Sequence, residues 1–120
     1  MKKFVLTALT FILAASSTAL AVEILEGKTG SNGKCSIRME LDQDLISFAG
    51  DGVAYGFLVD AKSFSESVKK GQRLITVTGS DGPVSARLTL NFSDKGVLES
   101  ANYSQRTFVL SKRIKCTELE

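Results

Sequence analysis

Apolar and polar residues alternate one by one along much of this chain, and this period of two constrains its fold more than any other feature. Every second residue is apolar from Lys34 to Leu41, and the same alternation runs from Val84 to Phe92. Successive side chains of a β-strand point to opposite faces, so the pattern predicts strands that are buried on one face. Strands therefore dominate the expected fold.

Further segments are strand-like, and turns rich in Gly and Asp separate them. They are Val22–Gly27, Leu45–Ala49, Val53–Asp60, Arg73–Thr78, Val97–Ser104 and a last stretch that ends at Cys116. No Gly or Pro divides residues 97–116, so one bent strand and two separate strands are both open there. We predict about eight short, mostly antiparallel strands.

One segment, Ser63–Gly71, departs from the period of two and predicts a short helix. Ser63 and Glu66 match a capping box, while Phe64 and Val68 are spaced to share one helical face. Gly71 suits the residue that follows a helix. We therefore expect two helical turns that lie over an open edge or end of the β-structure.

The first 21 residues are typical of a secretory signal. Lys2 and Lys3 precede an apolar run, and Ala19-Leu20-Ala21 matches a cleavage site. The apolar run ends well before the roughly 20 residues that span a bilayer, which argues against a membrane anchor. We predict cleavage before Val22, a single β-domain over residues 22–120, no transmembrane segment after cleavage, and a periplasmic or secreted bacterial protein.

Cys35 and Cys116 are the two cysteines of the sequence. In an exported chain an even pair predicts a disulfide, here closing a loop of roughly 80 residues. Such a bridge should stabilise the fold by about 4 kcal/mol. Because it joins an early strand to the last one, it favours a small antiparallel barrel, with a two-sheet sandwich as the alternative.

Composition excludes several classes of function. The chain has no His, which removes His-based catalysis, imidazole metal ligation and Ser-His-Asp triads. Removal of Lys2 and Lys3 with the signal would leave 13 basic residues against 13 acidic ones, so no nucleic-acid partner is expected. We predict a protein that is not an enzyme and has no catalytic residues and no cofactor.

Acidic residues near turns are candidate metal ligands. Asp42 and Asp44 resemble the start of a calcium loop, with Asp51 and Asp81 as further donors. The Gly and Glu that such a loop needs at its sixth and twelfth positions are missing. We predict no metal site, with a weak one at these turns as the alternative.

Two hypotheses for function follow from the expected scaffold. In the first, the protein is a binding module for an unknown protein or envelope component, because loops on rigid scaffolds carry recognition. Its contact loops are Gly50–Val53 and Gly79–Pro83, with Gly50, Asp51, Gly52, Gly79, Ser80, Asp81 and Gly82 as candidate residues. In the second, the barrel carries a small apolar ligand, which Tyr55, Phe57 and Phe64 would line at its mouth.

The size, predicted export and single disulfide make the chain similar in general architecture to small exported bacterial β-barrels. These include periplasmic lysozyme inhibitors and lipocalin-like carriers, and the likeness implies inhibition of a secreted hydrolase or carriage of a ligand as alternatives. The C-type inhibitors typically present a Ser-Gly-x-x-Tyr loop, whereas Gly79–Pro83 has no Tyr at the matching place. No motif in the sequence assigns a family.

Overall fold

The computed structural model describes residues 22–60 and 62–120, and within them it contains nine strands and one 3-10 turn. The predicted signal peptide, residues 1–21, lies outside the described residues. Among the residues described, no helix combines the length and the hydrophobicity needed to cross a membrane. The elements are β1 Val22–Thr29, β2 Lys34–Glu40, a 3-10 turn Leu41–Gln43, β3 Leu45–Gly50, β4 Val53–Leu58, β5 Phe64–Lys69, β6 Gln72–Asp81, β7 Val84–Phe92, β8 Leu98–Arg106 and β9 Ser111–Thr117.

All of these strands form one antiparallel sheet that curls into a half-barrel, in the order β4-β3-β2-β1-β9-β8-β7-β6-β5. The all-β prediction is confirmed, and the expected eight strands become nine. The sheet consists of two meanders, β1–β4 and β5–β9, that meet in its middle. In the described residues, the register between β1 and β9 comprises Lys28 opposite Thr117 and Thr29 opposite Cys116, so this junction is much shorter than the ladders around it.

The curl brings β4 against β6, two strands that are far apart in the sheet order. The ring of Tyr55 on β4 lies directly over Gly79 on β6, where an added Cβ would stand 3.1 Å from the Tyr55 hydroxyl oxygen. A glycine at this position therefore allows the two strands to approach. The part of β6 that precedes Thr78 has β5 as its partner on this side, from Phe64 opposite Val77 to Lys69 opposite Gln72.

The helix predicted over Ser63–Gly71 is wrong, because this segment is strand β5 and the turn that follows it. A helix of two turns is marginal by itself, whereas pairing with β6 runs along the whole of β5 and satisfies the backbone groups on that side. Glu66 also forms an ion pair with Arg73 across the ladder, at 2.8 Å. Lys70 and Gly71 both have positive φ, the geometry of a two-residue hairpin turn.

Residues 97–116 form two strands, β8 and β9, although no Gly or Pro lies between them. Thr107 makes the turn instead. Its backbone N–H donates to the Leu110 carbonyl at 2.8 Å, and its hydroxyl accepts the Leu110 N–H at 3.1 Å. In the turn between β7 and β8, Gly96 has a φ of 83° and its N–H donates to the Ser93 carbonyl at 2.9 Å.

The inward faces of the strands form the core, and aromatic rings occupy its centre. Phe48 and Tyr103 stack with their ring centroids 4.7 Å apart and their planes nearly parallel. The hydroxyl of Tyr103, a residue that is 1% exposed, donates to Gln105 Oε1 at 2.7 Å. The alternating positions predicted to face inward are buried as expected: Ile37, Met39, Leu88 and Leu90.

The disulfide between Cys35 and Cys116 is present, with a Cα–Cα distance of 6.0 Å. It joins β2 to β9 across the intervening β1. Next to it, a Cβ on Gly27 would overlap the carbonyl oxygen of Thr117. The bridge thus ties the two meanders together at their short junction, and the absence of a side chain at Gly27 lets the chains approach closely there.

Candidate binding surface

Antiparallel pairing places four hairpin turns of the described chain at the same end of the sheet, which we name the hairpin end. They connect β1 to β2, β3 to β4, β6 to β7 and β8 to β9. Both loops predicted to contact a partner, Gly50–Val53 and Gly79–Pro83, therefore lie at this end. The structure brings together two segments that are nearly thirty residues apart in sequence.

The first predicted loop is tied into the scaffold rather than free. The Asp51 carboxylate accepts hydrogen bonds from the hydroxyls of Thr29 and Ser31, at 3.1 Å each. The Asp51 carbonyl oxygen accepts a hydrogen bond of 2.8 Å from Lys112 Nζ. Gly52 has a φ of 82° and forms the turn, while Gly50 lies against the backbone of Cys35. Asp51 thus links three hairpins of this end.

The second predicted loop is more exposed. Asp81 and Gly82 are solvent-exposed, and Gly82 takes a positive φ of 61° at the turn. The pKa of Tyr55 is raised, first by burial and second by the negative charge of Asp81. The Asp81 carboxylate therefore lies near enough to the Tyr55 hydroxyl to oppose its ionisation.

The three aromatic residues proposed to line a ligand do not share one environment. Phe57 is buried in the core, with its ring centroid 4.7 Å from that of Tyr55. Tyr55 is half-buried between Phe57 and Gly79. Phe64 lies on β5, not on a helix, and is half-buried against the core.

A groove of about 710 Å³ opens near the hairpin end, on the polar side of strands β6–β9. Cross-strand register places Thr78, Arg87, Ser104 and Arg113 in one row, and Ser80, Ser85, Arg106 and Ser111 in the next. Strands lie about 4.8 Å apart, so the Cα atoms of Arg87 and Arg113 are about 10 Å apart. Arginines thus alternate with small hydroxyl side chains across the groove.

The groove is strongly basic although the domain is nearly neutral. Lys62 joins Arg87, Arg106 and Arg113 in its lining, and Asp60 is the acidic residue there. Lys112 also borders the groove, but its side chain leaves the opposite face of β9 and donates to the Asp51 carbonyl. No carboxylate among residues 22–60 and 62–120 forms an ion pair with any of the three arginines. Their guanidinium groups are therefore available to an anion from outside.

Asp60 does not neutralise this charge by pairing with the arginines. Its carboxylate accepts the backbone N–H groups of Ser63 and Lys62, each at 2.9 Å. These hydrogen bonds, that of Ser63 first, lower the pKa of Asp60 below its usual value. Ser63 in turn donates its hydroxyl to the Leu58 carbonyl at 2.7 Å, so polar side chains of Asp60 and Ser63 hold this rim of the groove in place.

Sequence reasoning missed this groove. Each arginine is visible as a polar residue of an alternating strand, but their proximity depends on the register of three strands. Lys112 and Arg113 are adjacent residues of β9, so their side chains leave opposite faces of the sheet, and of the two Arg113 lies on the face of the arginine rows. The available signal was the recurrence of Arg and Ser at alternating outward positions of β7, β8 and β9.

The structure offers no metal centre of the usual kind, because the described residues contain no group of three or more His, Cys, Asp or Glu side chains placed to hold an ion. Comparison with known proteins also gives no assignment. No protein-family model, no curated protein and no solved structure matches this chain.

Proposed function

We propose that this protein is an exported, non-enzymatic binding module that recognises an anionic partner through the basic groove on β6–β9. The observation that carries the proposal is the set of Arg87, Arg106 and Arg113, which alternate with Ser and have no carboxylate partner within the described chain. Guanidinium groups bind carboxylates and phosphates through paired hydrogen bonds, and neighbouring hydroxyls add further donors.

The scaffold supports a recognition role because the groove is built on strands. Arg87 and Arg106 belong to β7 and β8, which pair from Ser85 opposite Arg106 to Asn91 opposite Ser100. Rigid elements hold side chains in place more accurately than loops do, so less order must be imposed on binding. We expect an envelope or extracellular partner that presents several phosphates or carboxylates.

The test measures binding of the purified exported protein to polyphosphate and to polyglutamate at low and high salt. The variant R87S/R106S/R113S should weaken binding about tenfold or more, because charge-assisted contacts are lost. A matched control, K34S/K69S/K95S, removes the same charge from exposed positions outside the groove.

The two triple variants separate specific recognition from general attraction. Binding that weakens with salt and depends on the three arginines, but little on the three lysines, supports the proposal. An equal loss in both variants would show that net charge alone is responsible, and the groove would then have no special role. Absence of binding to both polyanions would also overturn the proposal.

Carriage of an apolar ligand and inhibition of a secreted hydrolase remain alternative proposals. The rings of Phe48 and Tyr103 stack in the interior, and the ring centroids of Phe57 and Tyr103 are 6.2 Å apart. These rings fill the space where a carried ligand would lie. This packing gives the binding module more support than the carrier. An inhibitor is a special case of the binding module, in which the anionic partner is an enzyme.

We also propose that residues 1–21 are removed on export to the periplasm or medium of a bacterium, and that the half-barrel closes into a barrel at Tyr55 and Gly79. A mature mass beginning at Val22, two hydrogens light for the disulfide, would support export and oxidation. A nuclear Overhauser contact between the Tyr55 ring and the Gly79 α-protons would support the closure. A retained signal or an absent contact would contradict the respective point.

A further inference from the structure

The turn between β8 and β9 presents three consecutive apolar side chains to solvent. Phe108 is 92% exposed, Val109 83% and Leu110 71%, more than any other large hydrophobic residue described. The turn is nevertheless ordered, because Thr107 bonds to Leu110 through both its backbone and its hydroxyl. We name residues 107–110 the apolar tip. Its side chains are held outward on a rigid hairpin and contribute little to the core.

The strands below the apolar tip are cationic. Between residues 100 and 117 the sequence contains Arg106, Lys112, Arg113 and Lys115 and no acidic residue. Arg106 lies one residue before the turn, and Arg113 lies three residues after it. At about 3.3 Å per residue, these charges stand within about 10 Å of the apolar side chains along the hairpin.

We propose that the apolar tip inserts into an anionic lipid bilayer, with Arg106 and Arg113 at the level of the lipid phosphates. This inference rests on the proposed function, since it names the bilayer as the anionic partner of the basic groove. A bilayer has an apolar layer beneath a plane of negative charge, and apolar side chains enter about 5–10 Å at this boundary. The hairpin has the complementary order, with an apolar end followed by cations.

The two features act together in this arrangement. A small apolar group alone gives marginal and reversible membrane binding, and stable attachment takes a second signal such as a basic patch. Here the second signal is the attraction between the basic residues and the anionic leaflet, which weakens as salt rises. We therefore expect binding to require both the apolar tip and anionic lipid.

The chain contains no tryptophan, so a single introduced one reports on its own surroundings. We would place it in the tip as F108W and, as a matched control, on the exposed strand β5 as V68W. Val68 is 67% exposed and lies far from the tip, near the opposite turn, which connects β5 to β6. Each purified exported variant, its mass checked for signal removal, is mixed with phosphatidylcholine vesicles with or without phosphatidylglycerol.

The expected result is a blue shift of F108W emission with vesicles that contain phosphatidylglycerol, and quenching by lipids brominated in the acyl chain. V68W emission should not change. The variant F108S/V109S/L110S should lower the partition coefficient for these vesicles about tenfold or more while leaving thermal unfolding unchanged, because the replaced side chains are exposed. High salt should release the protein.

Three outcomes would overturn the inference. They are no vesicle binding, vesicle binding without a change in F108W emission, and a blue shift of F108W that depends on protein concentration without vesicles, which would mean that a second copy covers the tip. Polyphosphate or polyglutamate binding that persists in F108S/V109S/L110S distinguishes the two proposals. If that binding remains and the wild type does not bind vesicles, the groove function stands and the membrane inference fails.

Discussion

Loss of the Cys35–Cys116 disulfide should destabilise this protein about as much as truncating one of the large side chains of its core. The bridge closes a loop with a sequence separation of 81 residues, for which the chain-entropy relation gives about 4.5 kcal/mol at room temperature. The same bond reinforces the junction between the two meanders, where β1 pairs with β9 at Lys28 and Thr29 and where Glu26 and Glu120 exchange two backbone hydrogen bonds. This junction is shorter than the other ladders of the sheet. We expect the free energy of unfolding to fall by about 4–5 kcal/mol in C35A/C116A.

The assay is urea unfolding followed by circular dichroism, with the thermal midpoint as a second measure. For a domain of this size each kcal/mol corresponds to about 4–8 °C, so the midpoint should fall by about 20–30 °C. Wild-type protein reduced with a phosphine is the control, because its sulfur atoms still fill the core while the bond is absent. A loss below about 1 kcal/mol in both samples would refute the reasoning that the bridge supports a weak junction.

Three smaller perturbations test other parts of the fold. G27A should lower the free energy of unfolding by about 1–3 kcal/mol in urea titrations, because its Cβ would overlap the Thr117 carbonyl oxygen, and an unchanged value would contradict the close approach. Burial raises the pKa of both Tyr103 and Tyr55 above the usual value. Their contribution to the free energy of unfolding is therefore full below about pH 10 and is lost as pH rises through the folded pKa values. Tyrosinate absorbance, followed in wild type and in Y103F, should show that both hydroxyls ionise at a higher pH than free tyrosine. The pKa of Asp60 is lowered, so its contribution is full above about pH 4 and is lost as pH falls through the folded pKa, which carboxyl NMR would record as a titration below that of a free aspartate.

Most strands could be predicted from the sequence because one buried face leaves a period of two. The strands β2 and β7 follow this pattern almost residue by residue, and Cys35 and Cys116 lie on its buried parity. The disulfide followed from the expected oxidising compartment and an even cysteine count. These features are local or compositional, so they can be recognised without knowing which strands are neighbours.

The segment Phe64–Lys69 could not be assigned correctly because its local signals conflict with its position. Its capping-box and i, i+4 patterns favour a helix, but a free ladder edge on β6 favours a strand, and sequence alone does not show that edge. Five of its six residues are exposed, so no buried parity marks it as a strand. The turn at Thr107–Leu110 stayed open as one of two alternatives for a similar reason, since a Thr hydroxyl takes the place of the usual Gly or Pro signal.

The groove was missed because it exists through register. Arg87, Arg106 and Arg113 are 19 and 7 residues apart, and the structure alone places them within two neighbouring rows. The predicted loops at Gly50–Val53 and Gly79–Pro83 were nevertheless close to this surface, since Gly79 and Ser80 line the groove. Loop reasoning thus pointed to the end of the molecule where the proposed groove opens, whereas the row of arginines depends on the pairing of the strands.

The groove and the apolar tip both belong to the β5–β9 meander, whereas the disulfide joins that meander to β1–β4. The ladders among β6–β9 involve no residue of β1–β4, so we expect them and the arginine rows to persist when the bridge is absent. We therefore expect C35A/C116A, held at a temperature where circular dichroism shows it folded, to bind polyphosphate and polyglutamate with the affinity of the wild type. A large loss of affinity in the folded variant would mean that the β1–β4 meander helps to shape the groove, and the contact between Lys112 and Asp51 is where that influence would enter.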